Sequence, residues 1–351
     1  MKGLILAGGY GTRLRPLTYS QQKQLIPILN KPILFYTVED LIEAGITDIG
    51  IITGPNREMV INAVKSFPFD ANIEFIHQGE PKGIAHAIKV ARDFLGDEDF
   101  VVYLGDNILK EGITSHLDHF LMNNFDASIL LCEVPNPQQF GVAELNLDGT
   151  IKRLVEKPKV PPSNLALVGI YFFKPCIHEA IDHLKPSWRN EYEITDAIQW
   201  LIDHGKKVGW TKVKGWWKDT GRAEDIIDVN RLLLDDIQTK IKSKTDAMII
   251  GRVVIEEGCQ IDENTIIKGP VVIGKNCVIK NSYIGPYTSI GHNCVIENSE
   301  IEDSLIMDGT HIKNSKRIVE SLIGKGVKII HEDTRPRGHR LIVGDKSHIR
   351  L

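Results

Sequence analysis

The five cysteines (Cys132, Cys176, Cys259, Cys277, Cys294) form no C-x-x-C pair, and their number is odd. That excludes ribbon-type zinc spacing, speaks against a disulfide framework, and predicts buried thiols in a reducing cytoplasm. No apolar run approaches the roughly 20 residues a helix needs to cross a bilayer. The chain enters a strand at once, without the pattern of a secretory leader. An excess of either charge is also missing. Lys and Arg number 42 against 46 Asp and Glu, for a net charge of -4. This balance excludes a general nucleic-acid binder and a protein held to a membrane surface by charge. Two common nucleotide loops are absent as well. After Gly9 and Gly11 a dinucleotide fingerprint needs a third glycine where Leu14 stands, and nowhere near is there the Gly-Lys-Ser/Thr of a Walker loop.

What is present falls into two halves with different rhythms. Up to about residue 235, short apolar runs such as "GLILAGG", "IGIITGP", "FVVYLGDN" and "ASILLCEV" end near Gly, Pro or Asp. They read as buried strands. Between them lie amphipathic stretches. In "EYEITDAIQWLIDHG", Ile194, Ala197, Ile198, Leu201 and Ile202 share one helical face and Gly205 marks a stop. Such alternation predicts a mostly parallel sheet covered on both sides. Asp148-Gly149, between alternating residues, predicts a hairpin.

From residue 246 isoleucine recurs every six residues, at 249, 255, 261, 267, 273 and 279. The series slips by one and resumes at 284, 290 and 296, slips again at 301 and 306, and continues at 312, 318, 323 and 329. Two residues before many of these stands a smaller side chain, among them Val253, Cys259, Thr265, Cys277, Ser282, Cys294 and Ser299. One large and one small inward residue per hexad predicts a triangular coil of short parallel strands. Cys259, Cys277 and Cys294 should then stack in one column as small core residues rather than as a metal site.

The opening stretch "LILAGGYGTRLRPLT" follows its strand with Gly8, Gly9 and Gly11, then Arg13 and Arg15, with Lys23 soon after. Successive bare amides make a concavity for phosphate. Arg adds a bidentate fork and Lys a movable point charge, suited to a polyphosphate. Asp106, in "YLGDN", ends a buried strand, where open α/β sheets bind ligands. Asp219 stands in "WWKDTG".

"LAGGYGTRLRPLT…KQLIPILNKPI" resembles the signature of the sugar-1-phosphate nucleotidyltransferases. Within that family the chain is most similar to the thymidylyl-transferring members, where Gln24 follows the lysine, in their long form. The second half resembles the hexapeptide-repeat, left-handed parallel β-helix. The resemblance implies an α/β fold: a Rossmann-like, mostly parallel catalytic sheet over 1–235, a linker at 236–245, a β-helix over 246–330 and a tail at 331–351. It implies dTTP, or UTP, and glucose 1-phosphate as substrates, Mg²⁺ as cofactor, no nucleic-acid or membrane partner, and a homo-oligomer. For the nucleotide it implies Leu6, Ala7, Gly8, Gly9, Gly11, Thr12, Gln24, Gln78, Pro81, Gly83 and Gly105. For the sugar it implies Gly141, Glu156, Lys157, Val168 and Gly169, with Leu167 favouring plain glucose over its N-acetylamino counterpart. Arg13 would meet the leaving phosphates, Lys157 the attacking phosphate and Lys23 the charge between them, while Asp106 and Asp219 would hold the metal. A competing possibility is acyl transfer on the coil, with His292 or His311 as base.

Overall fold

The computed structural model describes residues 1–331; the tail arginines Arg335, Arg337 and Arg340 lie outside the described residues. The chain divides into two compact units, Met1–Leu233 and a second beginning at Leu234.

In the first unit the strand Lys2–Ala7 lies in the middle of a nine-stranded sheet. Asp48–Thr53 and Phe100–Leu104 pair parallel to it on either side, and Asn72–His77 extends the parallel part. Successive strand side chains point to opposite faces, so this strand feeds two cores. Leu4 packs with Ile52, Val102 and the helix Ile194–Asp203 on one face. Ile5 packs with Ile51, Tyr103 and the helix Ile33–Glu43 on the other. The helix after Glu193 buries Ile194, Ala197, Ile198 and Leu201 as its periodicity predicts, and Gly205 ends it with a positive φ of 70°.

Strand–helix alternation does not describe the rest of the sheet. Leu165–Phe173 runs antiparallel against Phe100–Leu104 and Ala127–Glu133. Its far end meets the hairpin of Gly141–Leu145 with Ile151–Glu156, which turns at Gly149 (φ 84°). The sheet is therefore mixed. The consequence for the site is that a parallel strand end and a hairpin rim open towards one another across Leu165–Phe173.

Behind the sheet, Asp40 on the helix Ile33–Glu43 accepts a 2.7 Å hydrogen bond from the Tyr103 hydroxyl. Burial, only partly offset by that bond, pushes its carboxyl up to about 7 from an ordinary 3.8, with Glu43 and Glu39 adding repulsion. Across that interval the folded chain holds a proton the unfolded chain has released, so stability falls as pH rises through it. Asp40→Asn should raise unfolding stability by on the order of 3 kcal/mol at alkaline pH and change it little near pH 4. Urea midpoints at the two pH values measure this; a variant weaker at alkaline pH would contradict it.

In the second unit three parallel sheets form the sides of a coil. All fifteen isoleucines of the series are stacked in three columns: Ile249, Ile267, Ile284, Ile301, Ile318 on one side, Ile255, Ile273, Ile290, Ile306, Ile323 on the next, and Ile261, Ile279, Ile296, Ile312, Ile329 on the third. The coil starts before the series does. Lys240–Ile241 already pairs parallel with Val254–Ile255, inside the stretch expected to be a linker, because a strand at the coil's end needs no inward isoleucine pair to bond its neighbour.

Cys259, Cys277 and Cys294 are buried in one column. Their thiols donate to the carbonyls of Gly274, Gly291 and Met307 at 3.0, 3.0 and 3.3 Å. Thr310 makes the equivalent bond to Gly324 at 3.0 Å, so the column calls for a small donor rather than for sulfur. The corners carry a second rule. Asn276, Asn281, Asn293, Asn298 and Asn314 all have positive φ, which asparagine tolerates better than other side chains. Asn281 donates to Asn298 and Asn298 to Asn314, at 2.8 and 2.9 Å, forming a ladder along one edge. His292 accepts from the Lys275 backbone N–H at 2.8 Å and so pins a turn.

Candidate active site

The glycine loop after Lys2–Ala7 is shaped from behind by Gln22, which is buried. The Gln22 amide donates to the carbonyls of Ala7 and Gly9 at 2.9 and 2.8 Å, and lies 2.9 Å from Gln24 Oε1. Thr18 holds the Gly11 carbonyl at 2.8 Å. With these carbonyls engaged inward, the loop's other side is left for its amides. Gly11 has φ 60°, and a Cβ there would meet Lys23 Cβ at 3.0 Å. A Cβ on Gly9 would meet nothing within 4 Å. Packing within the chain does not explain glycine at position 9; bare backbone there leaves room for a ligand to come close.

Beside this loop Lys23, nearly buried, is ion-paired with Asp106 and stands 3.6 Å from Asp219. Two separate parts of the chain deliver the carboxylates. Asp106 follows Phe100–Leu104, and Asp219 ends a short strand, Trp217–Asp219, paired antiparallel with Asn107–Leu109. The Thr220 hydroxyl and amide both donate to the Asp106 carbonyl, at 2.8 and 3.0 Å. Asn107 donates to Asp106 Oδ1 at 3.0 Å and is itself fixed by the Trp217 indole N–H at 2.6 Å. Arg13 lies over Gly221, where a Cβ would meet its guanidinium at 3.1–3.3 Å. Arg15 turns elsewhere, 4.9 Å over the Tyr19 ring.

Burial raises the Asp219 carboxyl to about 6, with the Asp106 charge adding to it and Lys23 and Arg13 opposing. The partner Asp106 is held below its ordinary range by Lys23, whose attraction outweighs burial. One ammonium thus serves two carboxylates that already converge on a cation. Two adjacent oxygen donors, short of positive charge, suit a hard divalent ion that takes its remaining ligands from water and phosphate.

At the hairpin rim, Glu156 ends Ile151–Glu156 opposite Gly141. Its Oε1 is 3.4 Å from Arg189 Nη1 and its Oε2 3.3 Å from the Thr195 hydroxyl. A Cβ on Gly141 would strike Thr195 at 2.8 Å and crowd Glu156 Oε2 at 3.1 Å. Burial, then repulsion from Glu193, pushes the Glu156 carboxyl upward. Lys157 takes a left-handed backbone (φ 42°), rare for a long side chain, and its ammonium is 3.9 Å from Glu156. Leu167 reaches to 3.7 Å of a Cβ at Gly141, so it belongs to this rim. The Val168 side chain is buried in the core, leaving only backbone for a ligand, and Gly169 is bare because Leu104 packs at 2.5 Å from where its Cβ would be.

Two loops connect the ends of the site. Gln78 follows Asn72–His77, and its Oε1 would stand 3.2 Å from a Cβ on Gly8. Gly83 has φ 99°, and a Cβ there would collide with the Tyr192 carbonyl at 2.5 Å. Tyr192 N–H donates to Lys82 O at 2.8 Å, and Ala85 N–H to Tyr192 O at 3.2 Å. The Gln78–Gly83 turn, which includes Pro81, is thereby joined to the segment holding Arg189 and Glu193. Leu6 accepts from the Gly105 N–H at 3.0 Å, bringing the strand ends together. Thr12 is exposed beside Arg13, and Gln24 is buried behind the loop. Gln22, Asn107 and Arg189 carry no motif of their own. The signal for each was adjacency, to Lys23, to Asp106 and to the polar run "RNEYE".

The model of the nucleotidyl transferase family matches residues 2–236, and that of the bacterial transferase hexapeptide (six repeats) matches residues 252–282. The chain is 45% identical over 354 residues to glucose-1-phosphate thymidylyltransferase of Streptomyces griseus, covering 100% of this chain and 99% of that one. It is 48% identical over 357 residues to the low-salt glycan biosynthesis nucleotidyltransferase Agl11 of Haloferax volcanii, covering 100% of both. Among solved structures, a Bacillus anthracis chain assigned as a glucose-1-phosphate thymidylyltransferase, in complex with a sucrose, matches with TM-score 0.62 and 36% identity over 68% of this chain and 97% of that chain. A glycine loop built in this way, likeness over the full length and a family model spanning the first unit lead to one statement: the chain belongs to the nucleotidyl transferase family.

Proposed function

We propose that this chain joins dTTP and α-D-glucose 1-phosphate into dTDP-glucose, releasing pyrophosphate. The observation that carries the reading is the meeting of Arg13, Lys23, Asp106 and Asp219 beside a glycine loop, with the Glu156 carboxylate at the opposite rim. The names of the Streptomyces griseus and Bacillus anthracis relatives support it.

The attacking group is a phosphate oxygen, already an anion, so the chain needs no general base. Its residues have to hold two anions in line and offset their charge. The amides at Gly8, Gly9 and Gly11 and the Arg13 fork would receive the triphosphate, with Arg13 on the departing phosphates. Lys157, set by its strained backbone, would meet the sugar phosphate. Glu156 would accept from sugar hydroxyls, since a carboxylate takes two hydrogen bonds. Lys23 sits between, shared with the carboxylates. Asp106 and Asp219 would hold a divalent ion, proposed as Mg²⁺; such an ion supplies charge neutralisation at the phosphate that is attacked.

Pyrophosphate release, with dTTP and UTP each crossed against glucose 1-phosphate and N-acetylglucosamine 1-phosphate, tests the reading. The dTTP and glucose 1-phosphate pair should give the highest kcat/KM. A preference for UTP or for the N-acetylated sugar would overturn the assignment.

A further inference from the structure

The Gln78 amide has one end over the glycine loop and the other committed elsewhere. Its Nε2 donates to the Gly83 carbonyl at 3.4 Å and lies 3.1 Å from His86 Nδ1. A carbonyl oxygen only accepts, so the end facing Gly83 is the NH₂ end. His86 Nδ1 must then be the acceptor, which requires a neutral ring with its proton on Nε2. The ring is steadied by stacking on Tyr192, with centroids 6.2 Å apart and planes 23° from parallel. The charged groups around it are Lys82, Lys89 and Glu80; burial and the two lysines favour the neutral form, and Glu80 opposes them. With the NH₂ end tied down, Oε1 is what Gln78 presents beside Gly8. An acceptor there suits a pyrimidine with a proton on N3, as in thymine or uracil. Cytosine offers a lone pair at N3, and two acceptors would face each other.

We infer that His86 is a positioning residue that fixes the Gln78 amide acceptor-outward and thereby selects nucleoside triphosphates whose base carries an N3–H. This rests on the reading that Gln78 meets the base. Losing the Nδ1 acceptor frees the amide to turn, so that Nε2 can donate to cytosine N3.

The test compares kcat/KM for dTTP and dCTP, with glucose 1-phosphate, in the wild type, His86→Leu, His86→Asn and Gln78→Leu. His86→Leu should lower the dTTP/dCTP ratio roughly tenfold or more. His86→Asn, whose Oδ1 restores an acceptor near the Nδ1 position, should recover the ratio to within about threefold. Lowering pH from about 8 to about 5.5 should shrink the wild-type ratio as His86 gains a proton, and leave that of His86→Asn flat. Titration of the γ-phosphate is common to both nucleotides and cancels. A ratio unmoved in His86→Leu and independent of pH would overturn the inference. If Gln78→Leu also leaves the ratio unmoved, the base reading itself falls; if Gln78→Leu collapses it while His86→Leu does not, only the role of His86 falls.

Discussion

Arg13→Ala should lower turnover by roughly 10²–10³, the usual loss when one fixed donor to developing charge is removed. The guanidinium is exposed and packs over the bare Gly221, beside Asp219. Its removal opens no cavity, so the melting temperature should stay within about 2 °C of wild type. Loss of turnover without loss of fold separates a catalytic arginine from a surface one. Arg13→Lys should recover little of the loss, because a point charge cannot replace a planar fork on phosphate oxygens. Pyrophosphate release at saturating substrates measures both variants. Near-normal turnover in Arg13→Ala would remove Arg13 from the mechanism.

Asp219→Asn should produce a comparable loss, roughly 10²–10³ in turnover, with the divalent-ion concentration needed for half-activity moving upward. Its effect on stability should have the opposite sign. Asp219 is half-buried beside a second carboxylate, with Lys23 and Arg13 opposing the repulsion. Neutralising it relieves that repulsion, so the metal-free variant should melt no lower than the wild type, and above it if repulsion dominates. A carboxylate kept for structure alone would behave the other way, lowering the melting temperature and leaving the metal titration in place. Magnesium titrations of activity, paired with thermal melts in chelator, distinguish the two.

The parts of the fold legible in the sequence are those where one residue type answers one geometric demand. Fifteen isoleucines at steps of six, shortened to five where the series slips, predict three columns because the interior of each coil admits one large branched side chain per side. The corner asparagines were legible by the same logic, since their positive φ is a backbone demand repeated along two edges, but the isoleucine signal overshadowed them. Lys240–Ile241 was not legible, because its place is fixed by pairing with Val254–Ile255 and not by a pattern of its own. The antiparallel course of Leu165–Phe173 escaped for a related reason: a strand buried on both faces reads alike in either direction. In the site, glycines and aspartates at strand ends announce themselves. Gln22, Asn107 and His86 do not, because each acts on another residue of the site: on the loop carbonyls, on Asp106 and on the Gln78 amide.

The isoleucine columns have a consequence for ancestry. Each rung pairs its strands with those of the rungs above and below it, through the same three sides. Duplicating one rung would lengthen the stack by about 4.8 Å and leave every older contact in place. The C-terminal portion can thus gain or lose height in genetic steps of a single turn, while the N-terminal portion, whose chemistry depends on distant loops meeting, has no such freedom.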